Sequence, residues 1–120
     1  MAAITCLLAG CSDALIPGQI QALEVYRVVF AHSSIESCTH IEPSNAERDH
    51  AGILHVQLNL RSTTDADQYI DAFISFKLDG QFVEKLKPQR AVLKGNLTTT
   101  LLFNSTQPAD DYSIHLDYAK

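Results

Sequence analysis

Apolar and polar residues alternate along most of this chain, with a period of two. Over residues 54–61 the apolar side chains occupy even-numbered positions and the polar ones odd-numbered positions, and residues 69–78 repeat the pattern with Phe73 as the one apolar exception on the outer phase. This period is typical of β-strands that have one buried face and one wet face. The predicted inward side chains are Leu54, Val56, Leu58, Leu60, Ile70, Ala72, Ile74, Phe76 and Leu78.

Three more strands are predicted toward the C-terminus. Asp79 and Gly80 follow the second strand, and an Asp-Gly pair favours a tight hairpin into residues 81–86 because both residues tolerate positive φ. Alternation then resumes over residues 97–103 and again over residues 111–118. The predicted inward sets are Leu97, Thr99, Leu101 and Phe103, then Tyr112, Ile114, Leu116 and Tyr118.

The pattern is less regular before residue 53. Residues 23–32 are rich in β-forming side chains but change phase, which predicts either a bulge near Tyr26 and Arg27 or burial of both faces. Residues 33–52 show no clean period. We expect a short strand within residues 35–41 and a polar loop over residues 42–52, with room for one helical turn in that loop.

No segment sustains a helical period, and strands separated only by turns indicate an antiparallel sandwich. The order of strands and turns over residues 53–120 resembles immunoglobulin-like and fibronectin-like domains. The resemblance implies an all-β, antiparallel immunoglobulin-like β-sandwich of about six to eight strands, with a buried tyrosine at Tyr112. The sandwich domain is expected to span residues 20–120.

The start of the chain carries a different signal. An apolar stretch from Ala2 leads into Leu8-Ala9-Gly10-Cys11, which resembles the lipobox of bacterial lipoproteins. The resemblance implies that residues 1–10 are a signal peptide and that the thiol of Cys11 carries a diacylglycerol. Residues 1–10 contain no lysine or arginine, unlike a signal peptide, so either the true start lies upstream or the match is accidental. In the second case the apolar start packs against the domain.

The lipobox also implies a location. Cleavage would leave residues 11–19 as a lipidated tether, since Pro17 and Gly18 precede any regular pattern. Acyl chains on Cys11 would give stable membrane attachment, at about 0.8 kcal/mol for each buried methylene. Ser12 stands where a retention signal would place aspartate, so the resemblance implies the periplasmic face of the outer membrane.

Composition narrows the functional classes. The chain has 120 residues, which suits one domain, and its formal net charge of -5 shows no basic footprint for nucleic acid. It lacks the run of about 18 apolar residues that a membrane-spanning helix needs. Its three cysteines are Cys6, Cys11 and Cys38, too few for a disulfide scaffold.

Few residues of the sequence are candidates for catalysis or metal binding. The sequence has no nucleophile elbow and no glycine-rich phosphate loop, so we expect neither an enzyme nor a cofactor. Cys38, His40 and Glu42 alternate and would offer three metal ligands from one strand face, whereas a structural zinc site needs four. His55 and His115 lie on the polar phase of their strands, where we expect them exposed and titrating near their ordinary pKa.

These observations favour a non-enzymatic, lipid-anchored module that binds a protein partner in an envelope or secretion assembly. In size, anchor and all-β pattern the chain resembles the pilotins attached to type III secretion systems. The alternative is a periplasmic domain that binds a metal or a small ligand through Cys38, His40 and Glu42.

Overall fold

Two β-sheets packed face to face form the structure, a computed structural model that describes residues 14–119. The predicted all-β sandwich is confirmed, and the described residues form nine strands, one more than the upper expectation. The strands are β1 Ile20–Ala22, β2 Val28–Phe30, β3 Thr39–Arg48, β4 Ile53–Ser62, β5 Gln68–Leu78, β6 Gln81–Lys85, β7 Gln89–Leu93, β8 Thr98–Pro108 and β9 Asp111–Tyr118. A short helix, α1, spans Ser33–Ser37.

The sheets differ in their strand pairing. Sheet A has the order β1-β3-β4-β8 and is antiparallel throughout. Sheet B has the order β2-β9-β5, and β6 and β7 both pair with the far side of β5, at its C-terminal and N-terminal halves respectively. Because β2 runs parallel to β9, sheet B is mixed, which departs from the purely antiparallel expectation.

The core lies between the sheets and follows the predicted alternation. Four apolar side chains of β4 and four of β5 are no more than 1% exposed, and those of β8 and β9 meet them from the neighbouring strands. Fully burying one such side chain stabilises the fold by about 1.5 to 3 kcal/mol. At strand ends the prediction fails: Leu97 precedes β8 and is 62% exposed, and Tyr118 is 46% exposed. The central core residues are Leu54, Val56, Leu58, Leu60, Ile70, Ala72, Ile74, Phe76, Leu101, Phe103, Tyr112, Ile114 and Leu116.

The hairpin between β5 and β6 forms where it was predicted. Asp79 and Gly80 have φ values of 53° and 80°, so both central residues lie in the left-handed region. Two successive positive φ values are the mark of a type I′ turn, whose twist matches that of the flanking strands. The turn reverses the chain, and the register of the β5–β6 pair shifts between Phe76 and Lys77, just before it.

The predicted bulge near Tyr26 and Arg27 is wrong. A turn of 3-10 helix at Val25–Arg27 separates β1 from β2, and these strands lie in different sheets. The change of hydrophobic phase therefore marks the point where the chain crosses from sheet A to sheet B. A turn of this kind rotates side chains by about 120° per residue, so it resets which residues face inward.

Arg27 holds this crossing in place. Its side chain is 4% exposed and forms an ion pair with Asp111, and its Nη1 donates to the carbonyl oxygen of Tyr112 at 3.2 Å. The guanidinium carbon also lies 4.8 Å from the centre of the Tyr112 ring. Burial opposes the charge of Arg27, but the hydrogen bond and charge of Asp111 outweigh it and raise its pKa. For Tyr112, burial disfavours the phenolate and so raises the pKa to about 12.

The polar loop predicted over residues 42–52 is also wrong, because most of it belongs to β3. The inward side chains of β3 shift from odd to even numbers across a bulge between Glu42 and Asn45. Two of these inward residues are polar: Thr39 and Ser44 are buried, and the Ser44 hydroxyl accepts a hydrogen bond from the Asn59 amide at 2.8 Å. A bulge combined with polar inward residues removed the period-two signal.

The described part of the expected tether packs against the sandwich. Leu15 is 1% exposed, its amide donates to the carbonyl of Asp110 at 2.8 Å, and its own carbonyl accepts from Arg48 at 2.9 Å. Gly18, at φ 87°, donates to the Arg48 carbonyl at 2.6 Å. Residues 15–18, which belong to the expected tether, therefore contact the sandwich. The signal peptide and the lipidation of Cys11 concern residues outside the described range.

None of the helices formed by residues 14–119 is long and apolar enough to cross a membrane.

Replacing Arg27 with alanine is expected to destabilise the fold by about 3 kcal/mol, because it leaves the partly buried Asp111 carboxylate without its cation. Urea unfolding followed by circular dichroism would measure the change. The control is Lys94→Ala, which removes an exposed ion pair to Asp67 and should cost less than about 1 kcal/mol. Equal losses in the two variants would show that Arg27 does not hold the crossing.

Candidate functional site

The outer face of sheet B contains a cleft of about 420 Å³, here called the sheet B cleft. Four strands contribute to it: β2, β9, β5 and β6. Its walls combine exposed apolar side chains with two potential cations. The lining residues are Val29, Ala31, Phe73, Ser75, Phe82, Lys85, His115 and Asp117.

Strand register explains how these residues meet. His115 of β9 is paired with Val29 of β2 on one side and with Phe73 of β5 on the other, so the three form a row across the sheet. Ser75 of β5 is paired with Lys85 of β6 in the adjacent row. Because side chains alternate between faces, Val29, Phe73, Ser75 and His115 face outward while their neighbours build the core. Phe82 and Lys85 of β6 are three residues apart, and both line the cleft because the register of the β5–β6 pair shifts between Phe76 and Lys77.

Apolar side chains of the cleft are exposed to solvent. Phe82 is 62% exposed and Val29 is 45% exposed, while Phe73 lies half-buried between them. Contiguous exposed apolar surface on a folded domain often marks a binding surface. The sequence contains one signal of this apolar surface, because Phe73 is apolar on the polar phase of its strand. The sequence pattern did not predict that Val29 and Phe82 contribute to it.

The charges of the cleft are unevenly paired. The carboxylate of Asp117 lies 3.2 Å from Nε2 of His32, whose ring stacks on Tyr118 at 5.1 Å between centroids. Within residues 14–119, Lys85 has no ion-pair partner. The exposed His115 lies between the apolar residues. The cleft therefore presents an available ammonium group and an imidazole beside an apolar floor.

Ion pairs border the cleft along the strands. Toward one end, Asp71 is 7% exposed, and its two carboxylate oxygens accept hydrogen bonds from Arg90 at 3.0 and 3.4 Å. The hydrogen bond and charge of Asp71 raise the pKa of Arg90. Toward the other end, Arg27 pairs with Asp111. The apolar centre thus lies between two charged borders.

A second cavity of about 620 Å³ lies at the end of the sandwich near α1. It contains the partly exposed thiol of Cys38 and the exposed rings of Tyr69 and Tyr118. The hydroxyl of Tyr118 is hydrogen-bonded to that of Ser34 across its rim. Its lining residues are Ser34, Cys38, Thr64, Ala66, Asp67, Gln68, Tyr69, Tyr118 and Ala119.

The three candidate metal ligands are only partly brought together. His40 and Glu42 lie on one face of β3, with Nε2 and Oε2 3.1 Å apart, and the other carboxylate oxygen of Glu42 faces Nε of Arg61 at 3.5 Å. Cys38 precedes the strand, directly after α1, and lines the second cavity instead. Residues 14–119 contain no group of three or more histidine, cysteine or acidic side chains placed to hold a metal ion.

His55 does not titrate as expected from its exposed strand position. On the outer face of sheet A, its Nε2 lies 3.0 Å from Asp49 and its Nδ1 lies 2.7 Å from the side-chain oxygen of Asn104. The hydrogen bonds to Asp49 and then to Asn104 raise the pKa of His55, and the same contact lowers the pKa of Asp49. Asp49 also accepts from the amides of Ala51 and Ile53, so this pair supports the turn before β4.

The structure is thus an all-β sandwich of two sheets with an open, partly cationic apolar cleft on one outer face. No protein-family model matches the chain, and no curated protein gives a significant match. Two solved structures share the fold. The Campylobacter jejuni protein cj0090 superposes with a TM-score of 0.62 and 15% identity, covering 78% of this chain and 98% of that one.

The second structure is a DUF1425 family member from Shewanella sp. pv-4. It has a TM-score of 0.53 and 16% identity, and the match covers 66% of this chain and 82% of that one. At this level of identity, the two similarities establish a shared fold and nothing further.

Replacing Asp49 with asparagine should lower the pKa of His55 toward its ordinary value, and Asn104→Ala should lower it less, because Asn104 contributes less to the shift. NMR titration of the imidazole protons measures both effects. An unchanged pKa in Asp49→Asn would contradict the assignment.

The same pair predicts how stability depends on pH. The raised pKa of His55 gives stability that is present below about pH 6.5 and lost as pH rises through the folded-state pKa. The lowered pKa of Asp49 gives stability that is present above about pH 4 and lost as pH falls through its folded-state pKa. The difference in unfolding free energy between the unaltered chain and His55→Ala should therefore be largest between these limits.

Proposed function

We propose that this protein is a lipoprotein of the bacterial outer membrane, facing the periplasm, which binds a protein partner through the sheet B cleft and acts as a non-enzymatic accessory module. The single observation that carries the proposal is the exposed apolar surface of the cleft. Burial of Phe82 and Val29 against a partner would remove apolar area from water, which is the main favourable term in association.

The anchor in this proposal comes from the Leu8-Ala9-Gly10-Cys11 sequence. Leu15 is fixed to the sandwich, so only three residues would separate a lipidated Cys11 from the ordered domain. A fully extended chain covers at most about 3.6 Å per residue, which limits the distance between Cys11 and Leu15 to about 14 Å. The proposed lipoprotein would therefore hold its sandwich close to the membrane surface instead of on a long tether.

The combination of a lipid anchor and an exposed apolar cleft best suits a pilotin or an assembly factor. Such a role requires a rigid domain, a membrane anchor and a surface that grips another protein, and it requires no catalytic group. An exposed sheet face or edge binds through apolar contacts and main-chain hydrogen bonds. Partner choice would then depend on the few side chains that line the cleft.

Metal binding through Cys38, His40 and Glu42 has less support. Glu42 is shared between His40 and Arg61, so a cation lies where a further ligand would be needed. A metal ion bound there would have to displace that arginine. Cys38 would also have to leave the second cavity.

The anchor is tested with Cys11→Ser. In a bacterial host, the unaltered chain should fractionate with the outer membrane and begin at an acylated Cys11, and the variant should lose both properties because serine has no thiol to alkylate. Intact-mass spectrometry of the membrane fraction measures this. Recovery of the unaltered chain in the soluble fraction, starting at Met1, would refute the anchor while leaving the cleft untouched.

The docking surface is tested by photo-crosslinking in intact cells. Benzoylphenylalanine at position 82 should give a discrete protein adduct, because Phe82 forms the exposed rim of the cleft. The matched control is the same probe at Leu102, which is 59% exposed on the outer face of sheet A.

A second substitution then locates the contact within the cleft. Val29→Asp should abolish the adduct by placing a charge on the apolar floor, without disturbing the core, because Val29 is exposed. Identical adducts from positions 82 and 102, or none from position 82, would count against the proposal.

A further inference from the structure

We infer that the sheet B cleft recognises an extended segment of the partner in which an apolar side chain stands next to a carboxylate. This inference rests on the proposed function and specifies the chemistry of the partner. It follows from three properties of the cleft: an apolar floor, a cation without an ion-pair partner among residues 14–119, and a sheet edge beside it that no described strand covers.

The floor selects an apolar side chain. Val29 and Phe73 lie on either side of His115 in one row, and Phe82 closes the cleft from β6. An aromatic or branched aliphatic side chain placed there would contact both phenyl rings. Aromatic pairs contribute about 0.5 to 1.5 kcal/mol beyond the area that they bury.

The charges select an anion beside that side chain. Asp117 is the one acidic residue lining the described cleft, and its carboxylate is already engaged by His32. Lys85 has no such partner among the described residues, and His115 adds a second group that can donate a hydrogen bond. A carboxylate near Lys85 would therefore meet a complementary charge, whereas a lysine or arginine would meet repulsion.

The shape favours a segment of protein over a free small molecule. Small-ligand sites usually enclose about 70 to 90% of the ligand surface, but this cleft lies on a sheet face and its rim residue Phe82 is 62% exposed. Among the strands of residues 14–119, β2 pairs only with β9, so it forms the edge of sheet B as described. An extended segment can run beside this edge while its side chains enter the cleft.

Three blocked tetrapeptides test the inference against the full chain. The probes are acetyl-Ser-Phe-Asp-Ser-amide, the same peptide with Asn for Asp, and the same peptide with Ala for Phe. In an NMR titration, the first should shift the amide signals of Phe73 and His115 and should bind about threefold to tenfold more tightly than either control. A tenfold change corresponds to about 1.4 kcal/mol, the scale of one charge-assisted hydrogen bond.

Lysine variants identify the cation. Lys85→Gln should erase the preference for the Asp peptide over the Asn peptide while retaining the preference for Phe over Ala. Lys87→Gln is the matched control, because Lys87 is an equally charged, exposed residue two positions away that does not line the cleft. Both side chains are exposed, so the amide spectrum of each variant should otherwise be preserved.

Three outcomes would overturn the inference: no shift with any peptide, equal binding of the Asp and Asn peptides, or shifts of the same amides by sodium decanoate but not by peptides. The last would assign the cleft to a lipid chain. The crosslink from position 82 separates this inference from the proposed function. If that adduct forms equally well in the Lys85→Gln background, a protein binds in the cleft but Lys85 does not bind a carboxylate of that protein. The proposed function would then stand and this inference would fail.

Discussion

The burial of alternate side chains between the two sheets is the constraint on which the rest of the structure depends. Each strand gives every second residue to the core, and those of β4 and β5 are almost fully excluded from water. Because successive side chains point to opposite faces of a strand, the residues between the buried ones must face outward. The sheet B cleft is a consequence: Phe73 and His115 face outward because their neighbours Ala72, Ile74, Ile114 and Leu116 are buried in the core.

The crossing between the sheets is the second constraint. The chain leaves sheet A after β1 and enters sheet B at β2 within a single turn, and Arg27 joins this turn to β9 through Asp111 and Tyr112. This contact also sets the position of β2, the only parallel strand in the described sheets, and so places Val29 beside His115. One buried arginine thus contributes both to the closure of the sandwich and to the wall of the cleft.

The proposed role depends on two features of the sandwich: the fixed segment at Leu15 and the exposed sheet B cleft. Leu15 is held to the sandwich by a backbone hydrogen bond to Asp110 and by a hydrogen bond from the Arg48 side chain, which would keep the domain near a lipid on Cys11. The cleft presents Phe82 and Lys85 on a sheet face, where a partner chain can approach without entering the core. Rigid support from the sheet means that binding would order few side chains, and this reduces the entropic cost of association.

The alternation by itself determined β4, β5, β8 and β9 and the burial of Tyr112, because a period of two reports directly which face of a strand meets the core. The Asp79-Gly80 pair determined the hairpin into β6, whereas β7 was not predicted. The alternation failed over residues 25–48, where a 3-10 turn and a bulge each change the phase and where polar residues such as Ser44 face inward. Helix α1 fell in the same segment and was not predicted.

Tertiary structure alone decided which outward residues lie together. Val29, Phe73 and Lys85 are far apart in sequence and meet only through the pairing of β2, β9, β5 and β6. Likewise, His40 and Glu42 are neighbours along one strand, but the position of Cys38 after α1 separates it from them. The hydrophobic pattern records burial within each strand and contains no information about strand order or register, so the cleft became visible only when the strands were assembled.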